Sequence, residues 1–344
     1  MNTLPLSTER WELAAYGFDQ LALREVPLPA PQAGQIVIEM EAVSLNYRDA
    51  EVADNGMGAT LEFPFTPASD LAGRVIAVGQ GVNRFAVGDR VLSAFIPGWR
   101  DGASLPWAVA PARGGPLPGV LARHVVEPAD WYVHAPHSLG AQEASTLPVA
   151  GLTAWMALVE TGQLHAGQTV VVQGTGGVSL FAVQLAAAHG ARVIVVSGSD
   201  DKIARAIALG ASHGINRNVT PDWEQQVLAL TGGRGAEHIL EMAGGQNVER
   251  SLRAVAQGGR IAVIGLLEDD RFSLSVMALV ASRATITGIA VGPRRALEDL
   301  VRAVDLLKIR PVIETSYAFD QLPQAFAHLQ RGAFGKIVVA AGHA

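Results

Sequence analysis

Within residues 169–202, TVVVQGTGGVSLFAVQLAAAHGARVIVVSGSDDK, three glycines at 174, 176 and 177 stand between a β-branched run and an alanine-rich one. Residues without a Cβ let main-chain N–H groups approach a pyrophosphate, and the positive end of the helix that follows points at the same charge. The spacing therefore predicts an anion cradle made of Gly174, Thr175, Gly176, Gly177 and Val178. Apolar residues at Val178, Phe181, Ala182, Leu185 and Ala188 keep helical spacing and would seat that helix on a sheet. The third glycine of the G-x-G-x-x-G pattern is replaced by Ser179, so the motif is incomplete. Strand, turn, helix and second strand within about 30 residues supply the context that the motif requires. A tight βα turn with no ligand is the alternative reading.

The end of the second strand bears on which dinucleotide such a cradle would take. An acidic residue there would hydrogen-bond the adenosine ribose and select NAD, whereas this chain has Ser197, Gly198 and Ser199. Ser199, Lys202 and Arg217 can offer hydroxyl and cationic groups to a 2′-phosphate, so NADP (as NADPH) is expected, with Ser197 beside it. Asp200 and Asp201 follow at the start of the next helix and keep NAD possible.

These residues need elements to hold them. At 344 residues the chain should form two domains. A net charge of −6 without blocks of like charge gives nothing to attract nucleic acid or an anionic membrane. A start without a basic segment and apolar core, and no apolar run of about 18 residues, lead us to expect a cytoplasmic protein. The absence of cysteine excludes disulfides, thiolate metal sites and thiol catalysis. Residues 1–135 read as short alternating strands (35–41, 73–78, 89–92) between Pro/Gly turns, a barrel-like β domain. A Pro/Gly/Trp-rich stretch over 97–119 is long enough to be a lid or binding loop. From about 142 onward helices and strands alternate: strands 169–173, 192–196, 213–215, 238–241 and 260–264, helices 200–209, 221–230 and 247–256. Such alternation predicts a parallel α/β sheet. The tail (helix 296–308, strand 312–315, helix 322–330, strand 336–340) is expected to return to the first domain. This gives domains over 1–135 with 293–344, and over 136–292.

In this order the chain resembles the zinc-independent, quinone-oxidoreductase-like branch of the medium-chain dehydrogenase/reductase superfamily. The resemblance rests on SLNYRD (44–49), GVNRFAVGDRV (81–91), LPVAGLTAW (147–155), VVQGTGGVS (171–179), ALGASHGIN (208–216), TGGRG (231–235), GGRIAVIG (258–265) and FGKIVV (334–339). It implies a fold of class α/β, with a GroES-like β-rich catalytic domain, a Rossmann doubly wound parallel sheet and an active site in the cleft between them. It also implies cofactor contacts at Thr153, Gly265 and Lys336. Where zinc-dependent members carry ligands, this chain has Asn46, Ser69-Asp70 and Val149, which cannot supply the three or four N, S or O donors of a zinc site. No metal is expected.

Without a Lewis acid, oxidation of a plain alcohol is hard. Reduction of a C=C bond conjugated to a carbonyl is easier, because charge spreads onto an oxygen that hydrogen-bond donors can hold. Asn46, Tyr47 and Arg48 are the candidate catalytic donors, and Tyr47 best suits a role in orienting the carbonyl or giving a proton. A structural hydroxyl for Tyr47, and an Arg48–Asp49 pair bracing the loop, are the competing readings. The expectation is an NADPH-dependent reductase of enones or quinones acting on a small molecule, with neither nucleic acid nor membrane as a partner. A zinc-independent alcohol or carbonyl dehydrogenase and a cofactor-binding scaffold without turnover are the alternatives. Residues 284–291 read as a sheet edge that a second subunit would cover, so a homodimer is expected. Two further motifs are decoys. Residues 210–214 match G-x-S-x-G in the wrong strand–helix order, and His134 and His137 form an H-x-x-H pair without an evident third ligand.

Overall fold

The computed structural model describes residues 4–103 and 110–342, so part of the expected 97–119 loop, residues 104–109, lies outside the described residues. Contacts divide the chain into two compact units, one within Met1–Leu152 and Gly292–Ala344, the other Thr153–Val291.

The first unit begins with an antiparallel ribbon of β1 (Ser7–Leu13) and β2 (Leu21–Pro27). It continues through β3 (Gln35–Leu45), α1 (Tyr47–Asn55), β4 (Asp70–Val78), β5 (Arg90–Ser93), β6 (His124–Pro128), β7 (Tyr132–His134) and α2 (Ala141–Ala144). The expected border at 135/136 lies at 152/153, because residues 141–151 pack on β3 and β4 and Val149 N–H donates to Asp70 Oδ2 at 3.3 Å. The division falls inside a helical stretch that includes α3 (Leu152–Trp155).

The second unit runs β8 (Thr169–Gln173), α4 (Gly177–Ala188), β9 (Arg192–Ser197), α5 (Asp200–Ala208), β10 (His213–Asn216), α6 (Trp223–Leu230), β11 (Ala236–Glu241), α7 (Asn247–Ala254), β12 (Val255–Val263), α8 (Val276–Ser282) and β13 (Thr285–Gly288). The chain then returns to the first unit with α9 (Arg294–Leu307), β14 (Ile313–Ala318), α10 (Leu322–Arg331) and β15 (Lys336–Ala340).

In the first unit the sheet order is β14-β15-β3-β4-β5-β7, with β6 also paired to β3. β3 extends four residues beyond the expected end at 41, because β15 pairs antiparallel with residues 42–45. The segment Ala42-Val43-Ser44-Leu45 is buried on both faces, so alternation could not reveal it as strand. That extension places Asn46 directly at the sheet's end. Ile36, Ile38, Met40 and Val43 pack with Leu71, Val75, Phe319, Phe326 and Ile337, each side chain contributing about 1.5–3 kcal/mol of burial.

The second unit is one six-stranded sheet, β10-β9-β8-β11-β12-β13, parallel throughout. The chain steps outward from β8 to β10, then resumes on the other side of β8 with β11, so the strand order reverses between β8 and β11. Ligands of such sheets bind outside the carboxyl ends at that point. Val170, Val171 and Val172 have no exposed surface, which is why β8 reads as an unbroken apolar run. β12 begins five residues earlier than expected: Val255 pairs with Ala236, then Gly258 and Gly259 bulge out before Arg260 pairs with His238.

Candidate functional site

At the carboxyl end of β8 the chain turns through Gly174, whose φ of +77° only glycine adopts without strain. Gly176 is the N-cap of α4, with extended backbone and no side chain capping the helix. The first N–H groups of α4 lack intrahelical partners, and a Cβ added at Gly176 would meet nothing within 4 Å. Open space over unspent donors at a helix N-terminus fits a dinucleotide pyrophosphate. Gly177 and Val178 open the helix, and Thr175 is buried in the turn. Ser179 is no obstacle, because its hydroxyl donates to Gln173 O at 2.8 Å and so stays inside the helix–strand contact.

The second-strand residues gather at the neighbouring carboxyl ends. Ser197 is buried at the end of β9, and Ser199 caps α5 by accepting from Lys202 N–H at 3.4 Å. Arg217 N–H donates to Ser197 O at 2.9 Å, which sets its exposed side chain beside that end. Asp200 accepts from Asn216 Nδ2 at 2.8 Å and Asp201 faces Arg205 at 3.9 Å, so each of these carboxylates has a partner. Thr153 is buried at the start of this unit. Gly265 follows β12, where a Cβ would lie 1.9 Å from Met242 O.

In the first unit, α1 starts at the end of β3 with Asn46 as its cap: Asp49 Oδ2 accepts from Asn46 N–H at 2.8 Å. Tyr47, the first helical residue, is 54% exposed. Partial desolvation and the nearby Glu51 carboxylate raise its phenol above the usual range, which keeps the proton on it at neutral pH. Arg48, a candidate donor with loop bracing as its competing reading, braces the loop: its guanidinium donates to the carbonyls of Arg113, Gly114 and Gly115 at 3.2, 3.3 and 3.1 Å and stacks on Phe95. Its second link is to Asp49 at 3.6 Å.

Lys336, expected at the cofactor, is buried in this cluster, its ammonium donating to Leu45 O and Asn46 Oδ1, each at 2.6 Å. Asp49 and Asp70 have no exposed surface. Burial pushes both carboxyls up, Asp49 to about 6 despite Arg48, and Asp70 despite Lys336. Burial likewise lowers Lys336. Ser69 Oγ donates to Asp70 Oδ1 at 2.7 Å, and the Asn46 amide leans toward the same carboxylate without a well-formed hydrogen bond. At the four positions where a zinc enzyme would hold its metal, an amide already bonded to an ammonium, a hydroxyl turned to its neighbour, a buried carboxylate and a valine do not fit a zinc ion. Among the described residues no three His, Cys, Asp or Glu side chains are placed to hold a metal.

The Lys336–Asn46–Asp70 cluster was missed as a unit. Its sequence signal was an acidic residue and a lysine inside strands that are otherwise apolar (SDLAG, FGKIVV). A second set that was overlooked is Gln173 and Glu241, polar residues ending two adjacent parallel strands, VVVQ and HILE. The decoys fall away. Ser212 lies after α5 and before β10, the reverse of a nucleophile elbow. His134 and His137 line a groove of about 720 Å³ in the first unit with Arg84, Arg90 and Asp305, and form no metal cluster. Among the described residues no helix is long and apolar enough to cross a membrane.

Two family models match the chain: the alcohol dehydrogenase GroES-like domain over residues 32–137 and the zinc-binding dehydrogenase model over 177–308. The chain is 36% identical over 331 residues to a zinc-type alcohol dehydrogenase-like protein of Schizosaccharomyces pombe, covering 94% of this chain and 96% of that one. It is 30% identical over 325 residues to a chloroplast envelope quinone oxidoreductase homolog of Arabidopsis thaliana, covering 92% of each. A solved structure of a putative alcohol dehydrogenase from Sinorhizobium meliloti superposes with a TM-score of 0.94 at 53% identity, covering 98% of this chain and all of that one. The first unit thus has the GroES-like β fold and the second the Rossmann fold.

Proposed function

The chain belongs to the medium-chain dehydrogenase/reductase superfamily, and we propose that within it this protein is a metal-free, NADPH-preferring reductase of C=C bonds conjugated to a carbonyl, quinones included. The observation that carries the proposal is the buried cluster around Lys336: its ammonium lies 2.6 Å from Asn46 Oδ1 and feels the charge of the buried Asp70 and Asp49, so the residues at the positions of a zinc site are engaged with an ammonium instead. Without a Lewis acid the site must rely on hydrogen-bond donors, and these suffice where charge is delocalised onto a carbonyl oxygen. Similarity to a quinone oxidoreductase homolog supports the same substrate class.

Proteins of this superfamily bind nicotinamide dinucleotides. Gly174–Val178 would hold the pyrophosphate, and Ser199, Lys202 and Arg217 a 2′-phosphate, with the nearby Asp200 held by the Asn216 amide and Asp201 facing Arg205. When bound, NADPH supplies the hydride. Tyr47, protonated and at the exposed start of α1, would polarise the substrate carbonyl and give it a proton. Asn46 and Lys336 hold that start of the helix in place, while Arg48 braces the 113–115 backbone.

A homodimer is part of the proposal. β13 ends the sheet, and beside it α8 exposes Val276, Met277 and Val280, each more than 60% accessible. A free strand edge next to an apolar helix is what a second copy would cover. Light scattering at micromolar concentration should give twice the chain mass; a monomer would remove the dimer. NADPH oxidation with a panel of 2-enones, quinones and simple ketones tests the activity. Turnover of enones or quinones supports it, turnover of ketones alone favours a carbonyl dehydrogenase, and cofactor binding without turnover a scaffold.

A further inference from the structure

At the carboxyl ends of β8 and β11 the second unit buries a network whose hydrogen-bond directions follow from one fixed donor. The Trp223 indole N–H can only donate, and it meets Asn247 Oδ1 at 3.2 Å. Asn247 Nδ2 therefore faces Gln173 Oε1 and both oxygens of Glu241, each at 2.9 Å. Gln173 Oε1 also accepts from Met242 N–H at 3.2 Å, which leaves Gln173 Nε2 to donate to Glu241 and to Ser251 Oγ, both at 3.0 Å. Ser251, already an acceptor, gives its own proton to Glu241. Backbone N–H groups of Ala243 and Gly244 add donors at 2.9 and 3.2 Å. Three donor groups thus lie within hydrogen-bond distance of each carboxylate oxygen, one N–H of Asn247 being shared between the two. Glu241 is thus a carboxylate with no exposed surface, faced by neutral donors and by no cation among these partners. A neutral network could hold the same turn at lower desolvation cost.

The position of this charge suggests its use. Each half of a doubly wound sheet takes one mononucleotide. With the 2′-phosphate residues at the ends of β9 and β10, the nicotinamide half falls to β11 and β12. Glu241 ends β11, and the turn it holds touches Gly265 after β12 through backbone alone. We propose that Glu241 tunes the cofactor's redox preference: its fixed charge raises the affinity for the cationic nicotinamide of NADP⁺ relative to the neutral ring of NADPH. The inference rests on the dinucleotide reading of this unit. A unit charge within roughly 10 Å, at an effective dielectric of about 20, shifts such a ratio on the order of tenfold.

The test is titration of NADPH by its fluorescence, and of NADP⁺ by competition, on the full chain and on variants whose fold is checked by circular dichroism. Glu241→Gln should raise Kd(NADP⁺)/Kd(NADPH) about tenfold. Glu241→Asp, which keeps the charge, should leave the ratio near wild type. Gln173→Lys keeps the carboxylate but sets a cation against it, and should move the ratio in the direction of Glu241→Gln. It serves as the deciding variant if Glu241→Gln does not fold. A folded, neutralised variant that weakens both nucleotides equally would overturn the proposal and leave Glu241 a purely structural acceptor. A wild type that binds neither nucleotide would overturn the dinucleotide reading beneath it as well.

Discussion

Gly176→Val separates ligand binding from folding at a single position. Gly176 has φ −78° and ψ −175°, extended backbone that any residue adopts, and open space where a Cβ would stand. The protein alone should tolerate the side chain: replacing a glycine N-cap by valine costs up to about 1 kcal/mol, a Tm decrease of a few degrees at most in a chain of this size. The dinucleotide should not tolerate it. An isopropyl group beside the first N–H groups of α4 holds a pyrophosphate away from roughly two charge-assisted hydrogen bonds, each about 1.5–3 kcal/mol. The loss of about 3–6 kcal/mol weakens NADPH about 10²- to 10⁴-fold. Gly265→Ala is the contrasting case, since its Cβ would lie 1.9 Å from Met242 O and should damage the fold itself. The assay is NADPH fluorescence titration beside a thermal melt. A folded Gly176→Val protein that binds NADPH within about fivefold of wild type would refute the placement of the pyrophosphate.

Removing Lys202 and Arg217 together should weaken NADPH by about tenfold or more and leave NADH nearly unchanged; equal loss of both in parallel titrations would take the 2′-phosphate away from these residues. Tyr47→Phe should lower kcat about 10²-fold on the best enone or quinone with NADPH affinity unchanged, and equal turnover in steady-state assays would remove the phenol from the chemistry. His238, buried with its Nε2 2.9 Å from Gln168 Oε1, is lowered to about 4 by desolvation. Its folded value lies below the unfolded one near 6.5, so the stability it contributes is present above about pH 6.5 and is lost as pH falls toward about 4. Urea unfolding at the two ends of this window should show wild type losing about 2–3 kcal/mol more than His238→Gln, and parallel losses would contradict the burial argument.

The second unit is legible in the sequence because its signals are local. The run VVVQ, the glycine turn and the helix spacing of residues 178–188 lie within one βαβ unit, and the sheet order follows from alternating elements. The first unit is less legible because its decisive contacts are far apart in the chain. Asn46 and Lys336 are 290 residues apart, and the carbonyls that claim Arg48 lie 65 to 67 residues away, so no local spacing shows that these charges are already spent. The strand extension through Leu45 depends on a partner from the tail, which alternation within β3 cannot encode. Gln173 and Glu241 are visible as polar strand ends, yet only their spatial convergence with Asn247, Ser251 and Trp223 gives them meaning.

The central claim is that NADPH-dependent reduction of a conjugated C=C bond proceeds here without a metal. The most direct measurement follows NADPH oxidation with 2-enones and quinones by protein whose zinc content has been read by elemental analysis, before and after a strong chelator. A metal-free reductase predicts substoichiometric zinc, turnover of enones or quinones unchanged by the chelator, and no gain on adding zinc. Stoichiometric zinc, with turnover lost in chelator and restored by the metal, would contradict it.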